Sequence, residues 1–247
     1  FRSLYFNELQ GGQLWTMSLG GSGLVSLGQF PAHAYAVGID DATGHIYVGG
    51  AAGVPSLMRR PLTSGSFATL PFASLTAYAF ESVPSLNRQY IATSGGISYY
   101  DTFFGGVNQI YTNPNVSNGN GIALDVATQK LYWTDAIYNT GRSRIMRSNL
   151  DGSSVEMYAD VERTGGLAID QATRTMYLAF PELDMIRSYD LTQVDGAENP
   201  LTFSTGLDFV WALTFVPVPE PGSAIALLGM LPALMFFNRA RLAALRC

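Results

Sequence analysis

Cysteine is almost absent from this chain: of 247 residues only the last, Cys247, carries a thiol. An intrachain disulfide and a cysteine-rich metal centre are therefore excluded. The only histidines are His33 and His45, too few for a histidine-based metal centre. Lysine occurs once, at Lys130, and the net charge is −5. Nucleic-acid binding is not expected, because phosphate neutralisation needs a basic face. Charged residues make up 13% of the chain, against about 25% in an average soluble domain. That scarcity argues against disorder and coiled coil, both of which are rich in charge. Gly-x-Ser-x-Gly elbows and phosphate-binding glycine loops are missing, and no nucleophile–histidine–acid triad is readable. The chain opens at Phe1 without a basic leader and apolar core. A removed signal peptide or a fragment is expected from that opening.

Apolar residues make up 47% of the chain, aromatics 12%, and there are 26 glycines and 12 prolines. That mixture suits a core cut by many tight turns. The charge is uneven: residues 1–217 are acidic, whereas residues 218–247 hold Arg239, Arg241 and Arg246 against Glu220. Composition changes at the same boundary. Short strand-like runs precede it, and the uncharged stretch Gly222–Phe237 follows it. The expected division is a domain over 1–217 and a tail over 218–247.

Three segments align without gaps: Ile39–Tyr47, Leu124–Tyr132 and Ile169–Tyr177. They share apolar-Asp-x-Ala-Thr-x-x-apolar-Tyr. Weaker copies place Tyr90 and Tyr5 in the same register, so Tyr5, Tyr47, Tyr90, Tyr132 and Tyr177 recur at spacings of 42, 43, 42 and 45. A second series also repeats: Leu14–Gly21, Leu57–Leu62, Ile97–Asp101, Ile145–Gly152 and Ile186–Leu191. Each unit reads as four strands. In the best-preserved one, Gly121–Leu124 is a buried strand, Asp125–Lys130 a turn and Leu131–Thr134 a second strand. Ser143–Leu150, a hairpin at Asp151-Gly152, and Val155–Tyr158 complete it. A four-stranded unit of about 40–45 residues is the blade of a β-propeller. Stacked blades share a core without disulfides. The expected fold is thus all-β, a propeller of five four-stranded blades, or six if the chain is a fragment. Trp211–Phe215 is expected to supply the inner strand of the blade that holds Tyr5.

The run Leu131-Tyr132-Trp133-Thr134-Asp135 with Leu150-Asp151-Gly152-Ser153 resembles the YWTD repeat of low-density-lipoprotein-receptor class B propellers. The other units keep the tyrosine and depart from Trp-Thr-Asp. The resemblance implies the propeller fold and leaves the partner open.

Val218-Pro219-Glu220-Pro221 opens the tail, and its prolines separate domain from helix. At about 1.5 Å per residue, Gly222–Phe237 spans about 24 Å as a helix, short of the ~30 Å bilayer core. Extension through Asn238–Leu245, with snorkelling arginines, permits spanning. The arginines then hold the C-terminus in the cytoplasm and leave the domain outside. The order of Val218, Pro219, Glu220 and Pro221, hydrophobic helix, then Arg239 and Arg241 resembles the PEP-CTERM sorting signal of Gram-negative bacteria. That resemblance implies an exosortase-type processing enzyme as partner, an inner-membrane-anchored precursor, and release to the periplasm, cell surface or extracellular matrix.

Asp40, Asp125 and Asp170 are expected to hydrogen-bond turn backbone rather than to bind a metal, because one turn per blade scatters them around the ring. Tyr35, Tyr111 and Tyr138, with Asn118 and Asn120, are the expected binding residues for a peptide or sugar, on loops that share one face. The expected role is a non-enzymatic binding or scaffold module for a protein or polysaccharide. The alternative is an ester or lactone hydrolase with calcium at the ring centre, for which Asn113, Asn115, Asn118, Asn120 and Glu162 offer oxygens.

Overall fold

The computed structural model describes residues 3–7, 13–18, 25–29, 34–40, 43–50, 57–70, 76–112, 121–137, 140–193 and 200–204. Contacts divide the chain into Phe1–Phe215 and Val216–Cys247, and every described residue belongs to the first unit.

An N-terminal sheet pairs β1 (Ser3–Asn7), β2 (Gln13–Ser18) and β3 (Val25–Gln29). Blade I follows as β4 (Ala34–Asp40), β5 (His45–Gly50), β6 (Leu57–Pro61) and β7 (Ala68–Thr69). Blade II is β8 (Ala77–Val83), β9 (Arg88–Thr93), β10 (Gly96–Asp101) and β11 (Val107–Thr112). Blade III is β12 (Ile122–Asp125), β13 (Lys130–Ile137), β14 (Arg142–Asn149) and β15 (Glu156–Glu162). Blade IV is β16 (Leu167–Asp170), β17 (Thr175–Phe180), β18 (Met185–Asp190) and β19 (Leu201–Ser204). All pairings within these sheets are antiparallel. The fold is an all-β propeller. The blade count differs from the expectation: among the described residues there are four four-stranded blades and one three-stranded sheet, rather than five four-stranded blades. The first sheet has three strands because β1 holds Tyr5, a second-strand position, and no described strand lies inside it. Trp211–Phe215, expected to fill that place, falls outside the described residues, as do the expected C-terminal helix and the whole sorting segment. Among the described residues no helix is long and apolar enough to cross a membrane.

The Asp-x-Ala-Thr repeat makes the turn between first and second strands. Asp125 accepts hydrogen bonds from the Ala127 amide (3.1 Å) and the Thr128 hydroxyl (2.7 Å). Asp170 does the same with Ala172 (2.9 Å) and Thr173 (2.7 Å). Asp40 takes both bonds from Thr43, at 3.1 and 2.8 Å. A carboxylate that satisfies the turn in this way closes a tight connection. The expectation of a structural role for these three aspartates holds.

The register tyrosines face small or special partners. Tyr47 pairs Gly38, Tyr132 pairs Ala123, Tyr177 pairs Ala168, and Tyr90 pairs Glu81. Small partners leave room for the ring and for the next blade. At Gly38 the approach is so close that a Cβ would lie 2.6 Å from that of Phe80 in blade II. The seam between blades I and II is filled by Tyr47, Leu57, Leu70, Ala77, Ile91 and Tyr100. Blades II and III close over Ile97, Leu124, Leu131, Trp133 and Met146. Blades III and IV close over Tyr132, Ile145, Met176, Leu178, Phe180 and Tyr189. Burial of such side chains contributes about 1.5–3 kcal/mol each, which is how blades that cannot bury both faces alone become stable together.

Polar groups bridge the same seams. Arg174 of blade IV reaches Asp125 of blade III at 2.8 Å. Burial pushes the Asp125 carboxyl up, but the hydrogen bonds from Arg174 and Thr128 outweigh it and leave the pKa below the ordinary value. Gln171 donates to the Leu124 carbonyl (2.5 Å) and accepts from the Val126 amide (3.0 Å). Tyr90 of blade II donates to the Leu150 carbonyl of blade III at 2.5 Å.

Candidate functional site

In each blade the first strand runs away from the face that carries the inter-blade connections, and ends at the opposite face in its turn. At the starting end, β4 and β8 share an irregularity that the other first strands lack. The register slips between Ala34 and Ala36, which leaves Tyr35 without a cross-strand partner. It slips again between Ala77 and Ala79, at Tyr78. Each tyrosine is thus the extra residue of a β-bulge, a device that re-aims a side chain out of the pleat. The two rings meet across the seam at 5.8 Å with a 55° tilt. Tyr35 is 42% exposed and Tyr78 is half-buried. Burial raises the Tyr78 phenol pKa, the Thr76 side chain lowers it through a hydrogen bond, and the nearby Tyr35 adds a smaller rise. The Tyr78 phenol therefore stays neutral at physiological pH. The pair offers two aromatic faces and hydroxyl groups, a surface suited to stacking and hydrogen bonding.

Tyr111 lies near the end of β11 toward the same face, but its ring is committed inward. It packs on Trp133 at 5.2 Å, and its hydroxyl donates to Asp135 at 3.2 Å. Asp135 is 1% exposed on its side chain and also receives Arg144 at 2.8 Å. The Asp of the Tyr-Trp-Thr-Asp run thereby clamps β14 and the neighbouring blade. Thr134 of that run accepts a hydrogen bond from the Gly121 amide at 3.0 Å. Further along, Glu162 and Arg187 form a two-pronged pair at 2.7 and 3.2 Å. The Arg187 hydrogen bond holds the Glu162 carboxyl below its usual range. Arg187 also sits 4.6 Å from the Phe180 ring centre, a cation–π contact.

Of the residues expected from sequence, Tyr35 lies at the exposed aromatic pair and Tyr111 in the Asp135 clamp. Asn118, Asn120 and Tyr138 fall outside the described residues, and so do Val218, Pro219, Glu220, Pro221, Arg239 and Arg241. Sequence reasoning missed Tyr78. A signal was present: Ala34-Tyr35-Ala36 recurs as Ala77-Tyr78-Ala79 at the 43-residue spacing that separates Tyr47 from Tyr90. For a central calcium, Glu162 is described and is occupied by Arg187, whereas Asn113, Asn115, Asn118 and Asn120 are outside the described residues. Among the described residues no group of three or more His, Cys, Asp or Glu side chains converges.

No family model matches the chain. The protein cueball of Drosophila sechellia and that of Drosophila simulans are each 30% identical over 81 residues, 32% of this chain. The match spans only 12% of the length of those relatives. Among solved structures, the nidogen/laminin complex aligns with a TM-score of 0.69 at 17% identity, over 87% of this chain and 81% of the other. Regucalcin of Agrobacterium tumefaciens, a calcium-binding protein, aligns at 0.66 with 15% identity, over 87% and 74%. Virginiamycin B lyase of Staphylococcus aureus aligns at 0.60 with 13% identity, over 83% and 67%. One fold thus serves binding modules and enzymes alike, and the likeness establishes the β-propeller architecture of this chain.

Proposed function

We propose that this chain is an exported propeller that acts as a binding or scaffold module at the cell surface or in the extracellular matrix. Its ligand is a polysaccharide. The observation that carries the reading is the Tyr35–Tyr78 pair, with rings 5.8 Å apart on matched bulges of adjacent blades. Two tilted aromatic faces, held by sheet rather than loop, suit the C–H faces of successive sugar rings. The fixed backbone keeps the ordering cost of binding low. The tail supports export: Val218-Pro219-Glu220-Pro221, an uncharged stretch and dispersed arginines follow the order of a signal that an exosortase-type enzyme processes at the inner membrane.

The test is retention of the purified chain on exopolysaccharide from a producing Gram-negative bacterium. Tyr35→Ala and Tyr78→Ala are each expected to weaken retention at least tenfold, about 1.4 kcal/mol, with unchanged circular dichroism. Unchanged retention refutes the reading, and capture by a protein component instead reassigns the ligand. Replacement of Pro219, Glu220 and Pro221 by alanine is expected to keep the chain in the inner-membrane fraction. One tightly held calcium ion per purified chain would overturn the binding role in favour of a calcium-dependent ester or lactone hydrolase.

A further inference from the structure

We propose that the seam between blades I and II encloses a hydrated site, with at least one buried water held by Gln89, Ser82 and Tyr47. Gln89 is 0% exposed, yet neither its Oε1 nor its Nε2 makes a hydrogen bond within the protein. The Ser82 Oγ is equally buried and unpaired. These are not scattered atoms. Ser82 lies directly opposite Gln89, and Gln89 lies directly opposite Tyr100. Cross-strand partners share a face, so the three side chains form one row across blade II.

That row points at blade I. The Tyr100 ring packs on the Tyr47 ring at 6.4 Å. Phe80, two residues before Ser82 and thus on the same face, reaches Gly38 and Gly49 of blade I. The Tyr47 hydroxyl is buried with no hydrogen bond of good geometry, although the Arg59 guanidinium beside it lowers its pKa against the rise from burial.

The same row in the other blades is apolar at its first two places. Blade III has Leu124 and Leu131, and blade IV has Ile169 and Met176. Blade I has Ile39 and Ile46. Only blade II has Ser and Gln there. Serine has two fewer non-hydrogen atoms than isoleucine or leucine, a deficit on the scale of one water at ~30 Å³.

The chemistry selects the occupant. Gln89 offers two N–H donors and a carbonyl acceptor, and the two hydroxyl groups can do either. A cation would confront the N–H donors, and an anion the carbonyl oxygen. Water donates and accepts, and satisfies every member of the set. A buried amide left unpaired is among the costlier defects a core can hold, whereas a bridging water removes the defect at small entropic cost.

The test is a high-resolution crystal structure of the full chain beside that of the Ser82→Ile/Gln89→Met double variant, which copies blade IV. The wild type is expected to show an ordered water within hydrogen-bond distance of the Gln89 amide. The variant is expected to lose it and to unfold at the same or a higher temperature. Should the variant fail to fold, the wild-type density alone decides. A dry seam, an amide turned onto protein groups, or density that refines as an ion overturns the proposal.

Discussion

Glu81 stands where three other first strands carry Gly38, Ala123 and Ala168, opposite the register tyrosine of its blade. Burial there pushes its carboxyl from 4.5 to about 7, partly offset by the hydrogen bond it accepts from the Leu124 amide of blade III. A displacement of that size corresponds to about 3 kcal/mol of stability at stake. The sign follows from which state binds the proton more tightly. Below pH 4.5 the carboxyl is protonated in both states and costs nothing. Between pH 4.5 and about 7 the unfolded chain ionises while the folded one stays protonated, so stability falls as pH rises. Above that range the folded protein carries the charge and the full cost is present. Glu81→Gln keeps an acceptor for Leu124 and removes the titration. Urea unfolding of both proteins is to be followed by tryptophan fluorescence from below pH 4.5 to above pH 7. The variant is expected to gain about 3 kcal/mol over the wild type across that span. The difference between the two isolates Glu81 from every other titrating group, because those groups are common to both. A difference that stays constant with pH would refute the reasoning, and Glu81→Ala, which restores the residue of blades III and IV, should behave alike.

Arg174→Ala strands the buried Asp125 carboxylate and is expected to cost about 2 kcal/mol by urea unfolding, less than for a fully buried pair because Arg174 is 25% exposed. Asp125 has a depressed pKa, so its contribution is present above the ordinary carboxylate pKa of 3.8 and is lost as pH falls through the folded value. Gly38→Ala drives a Cβ to within 2.6 Å of the Phe80 Cβ, and calorimetry should show a loss of about 1–3 kcal/mol from overpacking. Tyr90→Phe removes the hydrogen bond to the Leu150 carbonyl and is expected to cost about 1 kcal/mol by the same assay. Tyr111→Phe frees Asp135 from one of its donors and should lower stability by about 1 kcal/mol without altering polysaccharide retention.

The blade pattern was legible because each repeated residue does one local job. Asp125 and Asp170 close their turns through bonds to residues two and three positions on, so the pattern survives in the sequence as a fixed string. Blade III, read as strands over 121–158, appears as β12 to β15 with its hairpin at Gly152 in a left-handed conformation, φ +86°. Blade II was legible only through Tyr90 and the weaker copy Ile97–Asp101. Its turn exchanges the aspartate for Val83 and closes with a short 3₁₀ turn, Pro84–Leu86, with Asn87 left-handed at φ +53°. The site was harder to read because its geometry depends on non-local facts. Whether Tyr35 points outward or inward turns on one extra residue in the pairing with β5, and Tyr111 points inward because Asp135, 24 residues away, accepts its hydrogen bond. The departures from the repeat are the informative positions. Glu81, Ser82 and Gln89 each replace a small or apolar residue within one blade, and a ring of similar blades gives no packing reason for three polar substitutions on two paired strands. A sequence that breaks its own local rule usually carries a compensating contact elsewhere. For Glu81 that contact is the Leu124 amide, and for Ser82 and Gln89 it is the buried water, so blade II joins its neighbours on both sides through polar contacts at positions where the other blades use packing.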